Sequence, residues 1–320
     1  MTNKKTRFYK FDTALYFLDK EITDYLKAIP ESIKQSIQEI RLKVNQPICL
    51  ISSNKTSFLE FSGQLTGNYE STNLIKVSKN HIEKSFYNLC EYSVYSFQNQ
   101  IQNGFITAKG GHRVGICGTA VIQNDKIINI KNITSLNIRI ANEFFDCSLR
   151  IIEMLNKQLE NTLIIGPPSS GKTTILRDLA RNISSGMYFG HAIKTVIIDE
   201  RGEIAGISDG MAQFNIGLCD VLNGFPKYDG IKNSVRCLSP ELIICDEIGT
   251  DSDLEVLSEC ANCGINLIAS IHARDKKDFL KKDIFEFLRT NCCFENLVFL
   301  ENGGIPGKIS EFIKASDLQK

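Results

Sequence analysis

The sequence predicts an α/β fold: a P-loop domain built on a mainly parallel sheet, preceded by a smaller α+β domain. Two observations carry this. From residue 161 short apolar runs, at 162–165, 195–198, 241–245 and 265–270, alternate with helical patterns at 172–184, 229–238, 252–263 and 275–289. Strands separated by helices pair in parallel and carry helices on both faces. Before residue 145, by contrast, strand-like runs follow one another across turn dipeptides, which is the pattern of an antiparallel sheet. The predicted divisions are 1–145 for the N-terminal domain, 146–160 for a linking helix and 161–320 for the P-loop domain.

Taken in order, residues 12–39 read as one or two helices, with Leu15, Leu18, Ile22, Tyr25 and Leu26 at helical spacing and Pro30 as the break. Residues 40–44 and 48–51 read as two strands about a turn at Asn45-Gln46-Pro47. Residues 78–91 form a helical pattern with Ser78 as N-cap and Ile82, Phe86 and Leu89 on one face. Strands are expected at 104–108, 112–121, 127–130 and 135–140, with turns at Gly110-Gly111 and Asn124-Asp125. In the second half, Ser252-Asp253-Leu254-Glu255 has capping-box spacing. The chain closes with strands at 297–300 and 308–313 around the turn-rich 302–307.

At mid-chain, Gly166-Pro167-Pro168-Ser169-Ser170-Gly171-Lys172-Thr173-Thr174 follows a short apolar run and opens a helical pattern. This is the phosphate-binding loop G-x-x-x-x-G-K-T in its strand-then-helix context. Gly166 and Gly171 are expected at backbone angles that a Cβ would oppose. The loop N–H groups and the helix N-terminus offer positive ends to phosphate oxygens. Lys172 is placed to reach the β- and γ-phosphates of ATP, and the Thr173 hydroxyl to ligate Mg²⁺. Leu242-Ile243-Ile244-Cys245-Asp246-Glu247 is a buried-strand run ending in two acids: Asp246 as the Mg²⁺ partner, Glu247 as the residue polarising the attacking water. Val196-Ile197-Ile198-Asp199-Glu200-Arg201-Gly202-Glu203 ends a second strand, placing Glu200 and Glu203 toward the γ-phosphate or leaving them as loop acids paired with Arg201. A third strand ends at Ser270-Ile271-His272: His272 contacts the γ-phosphate or reports its loss, or plays the structural part usual for a lone strand-end His, and Ser270 is a hydrogen-bonding sensor. Arg113 and Arg139 stand on strands of the first half and are candidates for the extra cation that phosphoryl transfer draws from another domain or subunit; surface ion pairing is the plainer alternative for each.

Composition excludes other classes. With 42% hydrophobic and 23% charged residues the chain reads as globular, and no apolar run reaches the ~18 residues of a membrane span. The opening residues lack an apolar signal segment, and eleven cysteines in no disulfide framework fit a reducing cytosol. Cys260-x-x-Cys263 has no second pair at zinc spacing. The zero net charge hides a split: residues 1–150 carry 19 Lys and Arg against 13 Asp and Glu, the remainder 18 against 24. A basic half suits anionic lipid, nucleic acid or a neighbouring subunit's nucleotide, or is an evenly spread surface. No nucleic-acid module and no basic run with interleaved aromatics is present, so no nucleic acid is expected.

Several of these segments, with Arg41-Leu42-Lys43-Val44-Asn45-Gln46-Pro47, Gly111-His112-Arg113-Val114-Gly115, Ile198-Asp199-Glu200-Arg201-Gly202-Glu203-Ile204-Ala205 and Ser239-Pro240-Glu241-Leu242-Ile243-Ile244-Cys245-Asp246-Glu247-Ile248-Gly249, give a chain that resembles the stage III sporulation protein AA family over about residues 10–315. That family is similar to the ATPases of type II and type IV secretion. The resemblance implies a RecA-like core with an acidic box at Glu200 and Glu203 and a His box at His272. It also implies a hexameric ring to which the N-terminal domain contributes Arg113 and Arg139, and a cytoplasmic motor peripheral to the membrane. Its partners would be membrane proteins of the mother cell-to-forespore channel of an endospore former. This chain departs from the secretion ATPases in three places: Asp246-Glu247 stands for Gly-Glu, Cys263-Gly264 for Gly-His, and Ser270 for Thr. An ATPase motor is the leading expectation; a nucleic-acid-dependent ATPase and a nucleotide-gated scaffold with little hydrolysis are the alternatives.

Overall fold

The computed structural model describes residues 6–52, 55–156, 158–208, 210–249, 253, 260, 263–291, 294–301 and 307–318. The chain forms two compact units, one of Phe8–Asn142 with Ser208–Gln213 and one built on Glu143–Ile207 and Phe214–Lys320.

The strand β1 (Thr6–Tyr9) opens the chain. Two short helices follow, α1 (Lys20–Lys27), capped by the Asp19 carboxylate on the Glu21 N–H, and α2 (Glu31–Lys34) behind Pro30. Strands β2 (Glu39–Lys43), β3 (Cys49–Ser52), β4 (Lys55–Leu59) and β5 (Leu65–Thr66) then form a meander, with Asn45 at φ 60° in the first turn. The helix α3 (Lys79–Leu89) is capped as the sequence indicates: the Ser78 hydroxyl accepts from the His81 N–H while His81 Nδ1 accepts from the Ser78 N–H. After α4 (Gln98–Gln102) come β6 (Phe105–Ala108), β7 (His112–Gln123) and β8 (Lys126–Arg139). The seven strands lie in the order β5-β4-β3-β2-β8-β7-β6, with every neighbouring pair antiparallel. The two strands expected at 127–130 and 135–140 are a single strand. Its register shifts twice against β7, between Cys117 and Thr119 and between Val121 and Ile122; the first falls at Gly118, where a Cβ would lie 2.7 Å from the Lys131 carbonyl oxygen, and β8 runs on unbroken. One face of this sheet is buried: Ile40, Leu42, Val114, Ile116, Leu136 and Ile138 pack with Ile22 and Leu26 of α1 and Ile82 and Phe86 of α3. The alternate residues Arg41 and Lys43 are exposed.

In the other unit, β9 (Asn142–Phe145), which pairs with β1, leads to α5 (Leu149–Met154). This helix is shorter than the expected 146–160, and Asn156, at φ 50°, lies just past its end. Strands β10 (Thr162–Gly166), β11 (Thr195–Asp199), β12 (Asp220–Asn223), β13 (Leu242–Cys245), β14 (Asn266–His272), β15 (Asn296–Leu300) and β16 (Ile309–Lys314) form a sheet of order β12-β11-β13-β14-β10-β15-β16. All pairs are parallel except the edge pair β15–β16. Among the described residues the helices after α5 are α6 (Lys172–Ser184), α7 (Lys227–Cys237), α8 (Lys276–Phe279) and α9 (Asp283–Asn291). The single helix expected at 275–289 is thus two, and Phe279 of the first meets Phe285 of the second edge to face. Both sheet faces are buried. Ile164, Ile197, Ile244 and Ile268 pack with Leu176 and Leu179 of α6, while Leu163, Ile165, Ile243 and Leu267 pack with Ile231 of α7 and Leu288 of α9. Burial on both faces is why these strands read as continuous apolar runs. The short strand β12 has no such run: its residues are exposed or half-buried, and it is recognisable only by its pairing with β11. The expected helix at 252–263 and the turn at 302–307 lie almost wholly outside the described residues; Asp253 is described, and its carboxylate accepts from the Gly249 N–H at 3.0 Å. No helix among the described residues is long and apolar enough to cross a membrane.

Candidate active site

Parallel pairing brings the carboxyl ends of β10, β11, β13 and β14 to one edge of the sheet. Gly166 at the end of β10 stands directly beside His272 at the end of β14. The phosphate-binding loop spans from Gly166 to Lys172, the first residue of α6, with Ser169 at φ 62° and Gly171 at φ 91°. The left-handed angle explains a glycine at 171. At 166 the reason differs from the one read in the sequence: a Cβ there would lie 2.6 Å from Ser170 Oγ and 3.2 Å from Leu300 Cβ, so what glycine supplies is space.

The Lys172 ammonium is buried, and donates to the carbonyls of Gly166 and Pro167, both at 2.9 Å. Its third neighbour is Nδ1 of His272 at 3.0 Å. Burial lowers the Lys172 pKa, while the charges of Asp246 and Glu247 oppose that shift. The ammonium uses three donors, so His272 Nδ1 accepts and its Nε2–H donates to Glu247 Oε1 at 2.6 Å. The Thr173 hydroxyl donates to Asp246 Oδ2 at 2.5 Å, and Ser270 donates to the other Asp246 oxygen. The Glu247 N–H lies 3.0 Å from both Asp246 Oδ1 and Ser270 Oγ, with the residue at φ 51° in the left-handed region. Lys172, Thr173, Asp246, Glu247, Ser270 and His272 therefore form one connected set, drawn from three separate segments of the sequence.

The acidic-box residues are arranged differently. Glu200 forms an ion pair with Lys227 at the start of α7. Glu203 lines the same cleft as Glu200, Lys227, Asp246 and Glu247. Its backbone N–H donates to Asp199 Oδ1, and its carbonyl accepts from Arg177 Nη2. Asp199, buried at the end of β11, accepts from the N–H groups of Glu203, Ile204 and Ala205 and so folds the loop. Arg177 of α6 holds that loop from the other side, donating to the Glu203 and Ile204 carbonyls and stacking 3.6 Å from the Phe214 ring centroid. Desolvation pushes the Arg177 guanidinium down to about 10. Arg201, which the sequence sets beside Glu200 and Glu203, pairs with Glu247. Asp199, Arg177, Lys227 and the Arg201–Glu247 pair were not singled out in the sequence. The only signal for Arg177 and Lys227 was a cation at helical spacing, which is common on any surface.

Arg113 and Arg139 belong to the other unit, where they stand opposite each other on β7 and β8. The Arg113 guanidinium lies 3.8 Å from the Phe105 ring centroid, and Arg139 is exposed, with Glu39 on its other flank.

The loop fits a nucleoside triphosphate on two counts. Ser170 Oγ is buried with no hydrogen-bond partner among the described residues, and the space at Gly166 is one that a side chain would fill. The Thr173 hydroxyl and Asp246 carboxylate are hard oxygen donors, the type Mg²⁺ takes.

The model of the family described as Sporulation stage III, protein AA, matches residues 15–316. Over 297 residues, 92% of each chain, this sequence is 35% identical to the stage III sporulation protein AA of Bacillus subtilis (strain 168). Among solved structures it is similar to the Legionella pneumophila ATPase DotB, with a TM-score of 0.53 at 15% identity over 93% of this chain and 78% of that one. It is also similar to the pilus retraction motor PilT with bound ADP, with a TM-score of 0.58 at 14% identity over 89% and 81%. At such identities the likeness speaks for the fold, which is the RecA-like P-loop fold of the secretion ATPases.

Proposed function

The chain belongs to the family of the sporulation stage III protein AA, and from that premise we propose that it is an ATP-hydrolysing motor of a secretion-like channel complex needed for endospore formation. The observation that carries the reading is the connected set at the strand ends: the loop lysine linked to a glutamate through one imidazole, and a threonine–aspartate pair joined to that glutamate through its N–H and Ser270. Phosphoryl transfer asks a protein chiefly to position groups and to offset charge. Lys172 would exchange the carbonyls of Gly166 and Pro167 for β- and γ-phosphate oxygens. Thr173 and Asp246 would hold Mg²⁺, which when bound offsets charge on the β- and γ-oxygens. Glu247 would orient the attacking water and take its proton as the γ-phosphorus forms its bond to that oxygen and releases the β,γ-bridging oxygen to ADP. His272 Nδ1 would lose its Lys172 contact when the ammonium turns to phosphate, which makes His272 a reporter of the γ-phosphate. Glu200 and Glu203 line the same cleft and would order water there. Arg113 and Arg139 are the proposed cations that a neighbouring copy contributes in a hexameric ring. The ring would work in the cytoplasm, docked on membrane proteins of the channel complex.

Phosphate release by the assembled protein, with Glu247→Gln as the control, tests hydrolysis. Mass measurement with and without a nonhydrolysable ATP analogue tests the ring. Nucleotide-dependent assembly and glutamate-dependent release are expected. A protein that binds nucleotide and remains a monomer without turnover would overturn the motor in favour of a nucleotide-gated scaffold.

A further inference from the structure

We propose that Arg201 is a positioning residue for Glu247: the guanidinium following β11 and the imidazole ending β14 take one carboxylate oxygen each and hold the glutamate that follows β13 between them. The inference rests on the ATPase reading and adds to it a residue that acts through Glu247.

Strand β13 lies between β11 and β14, so the loops that follow its two neighbours flank Glu247. Arg201 is the second residue after β11 and reaches across to Glu247 Oε2, while Glu200 beside it turns to Lys227. The left-handed backbone of Glu247 is fixed by two acceptors of its N–H, yet that leaves three side-chain torsions free. Only donors to the carboxylate itself can fix its plane, and the two found come from opposite sides. Each carboxylate oxygen has two acceptor sites, so one on each remains for water after Arg201 and His272 are satisfied. A carboxylate held in this way presents its free lone pairs in a set direction, which is what orienting a nucleophilic water requires. The Arg201 side chain is 64% exposed and that of Glu247 25%, so the pair contributes little to folding, and its loss is felt at the reacting carboxylate.

Wild type, Arg201→Ala, Arg201→Lys, Glu247→Gln and Arg201→Ala/Glu247→Gln are compared for ATP affinity, steady-state turnover and single-turnover hydrolysis with protein in excess. Arg201→Ala is expected to lower kcat by about 10- to 100-fold, the size of a misplaced catalytic group, with KM and Kd for ATP held within about twofold. Arg201→Lys recovers part of the loss, because an ammonium keeps the charge without the planar fork. In the Glu247→Gln background, Arg201→Ala costs less than about twofold, because residues acting as a unit are not additive. Unchanged kcat in Arg201→Ala overturns the proposal, as does an undiminished loss in the Glu247→Gln background or a loss confined to ATP affinity. A wild type that binds ATP without turnover overturns the ATPase reading itself, and with it this role; an active wild type with an indifferent Arg201 overturns this role alone.

Discussion

The molecule contains two seven-stranded sheets built on opposite principles. In the antiparallel sheet, β2 alternates buried Ile40 and Leu42 with exposed Arg41 and Lys43, one face to the core and one outward. In the other sheet, β10, β11, β13 and β15 are buried at every position. The difference determines where chemistry can gather. Parallel strands all finish at the same edge, so four strand ends, at Gly166, Asp199, Cys245 and His272, bring a loop, the three acids Asp199, Asp246 and Glu247, and an imidazole together. Antiparallel strands finish alternately at both edges, and polar residues spread over the open face, as Arg41, Lys43 and Arg139 do.

Mutations that break the contrast at its strongest point act on the converging edge. Glu247→Gln is expected to keep nucleotide binding and lower turnover by about 10²–10⁴-fold, the usual contribution of a general base, as read by phosphate release. Lys172→Ala is expected to cost about 2–5 kcal/mol of nucleotide binding, measured with a fluorescent ATP analogue, because it removes the buried charge that meets the phosphates.

Packing separates the sheets next. Truncating either of two consecutive residues of β13, Ile243→Ala or Ile244→Ala, is expected to cost about 2–5 kcal/mol in urea unfolding, since each fills a fully buried site on its own face. In β2 the same step should alternate: Leu42→Ala costs about 2–5 kcal/mol and Lys43→Ala stays within about 0.5 kcal/mol. Equal costs at Leu42 and Lys43 would mean that the outer face of the antiparallel sheet is covered.

Acid should reach the antiparallel unit through His112. This imidazole is fully buried, its Nδ1 accepting from the Ala141 N–H and its Nε2 meeting the Thr13 hydroxyl at 2.8 Å. Burial and then the nearby Lys10 charge press its pKa down to about 3. The unfolded chain takes up that proton near 6.5 and the folded chain does not until about 3, so stability falls as pH drops through that window. Relative to His112→Gln, the wild type should lose up to about 1.4 kcal/mol of unfolding free energy per pH unit between those values, and parallel urea titrations at several pH values would show it. Coincident curves would mean that His112 is protonated within the fold.

The residues whose chemistry is local were legible in the sequence. The loop 166–174 is a contiguous motif, Ser78 caps its own helix, and Ile164 and Ile244 declare burial by sitting in apolar runs. The α/β class followed from alternation of period, because hydrophobic spacing is imposed by the element's own geometry. Asp246, Glu247 and His272 could be nominated because parallel strands must finish together. Tertiary structure decided the rest. Arg201 reads as a partner of adjacent acids, and only the placement of β11 beside β13 gives it Glu247. Gly166 reads as a backbone requirement, and only Leu300 and Ser170 make it a requirement for space. Strand β12 carries no apolar run and exists because β11 offers it an edge. A sequence records what each residue prefers within a few positions along the chain. Which distant residue becomes its neighbour is fixed by strand order, and that order is a property of the folded sheet.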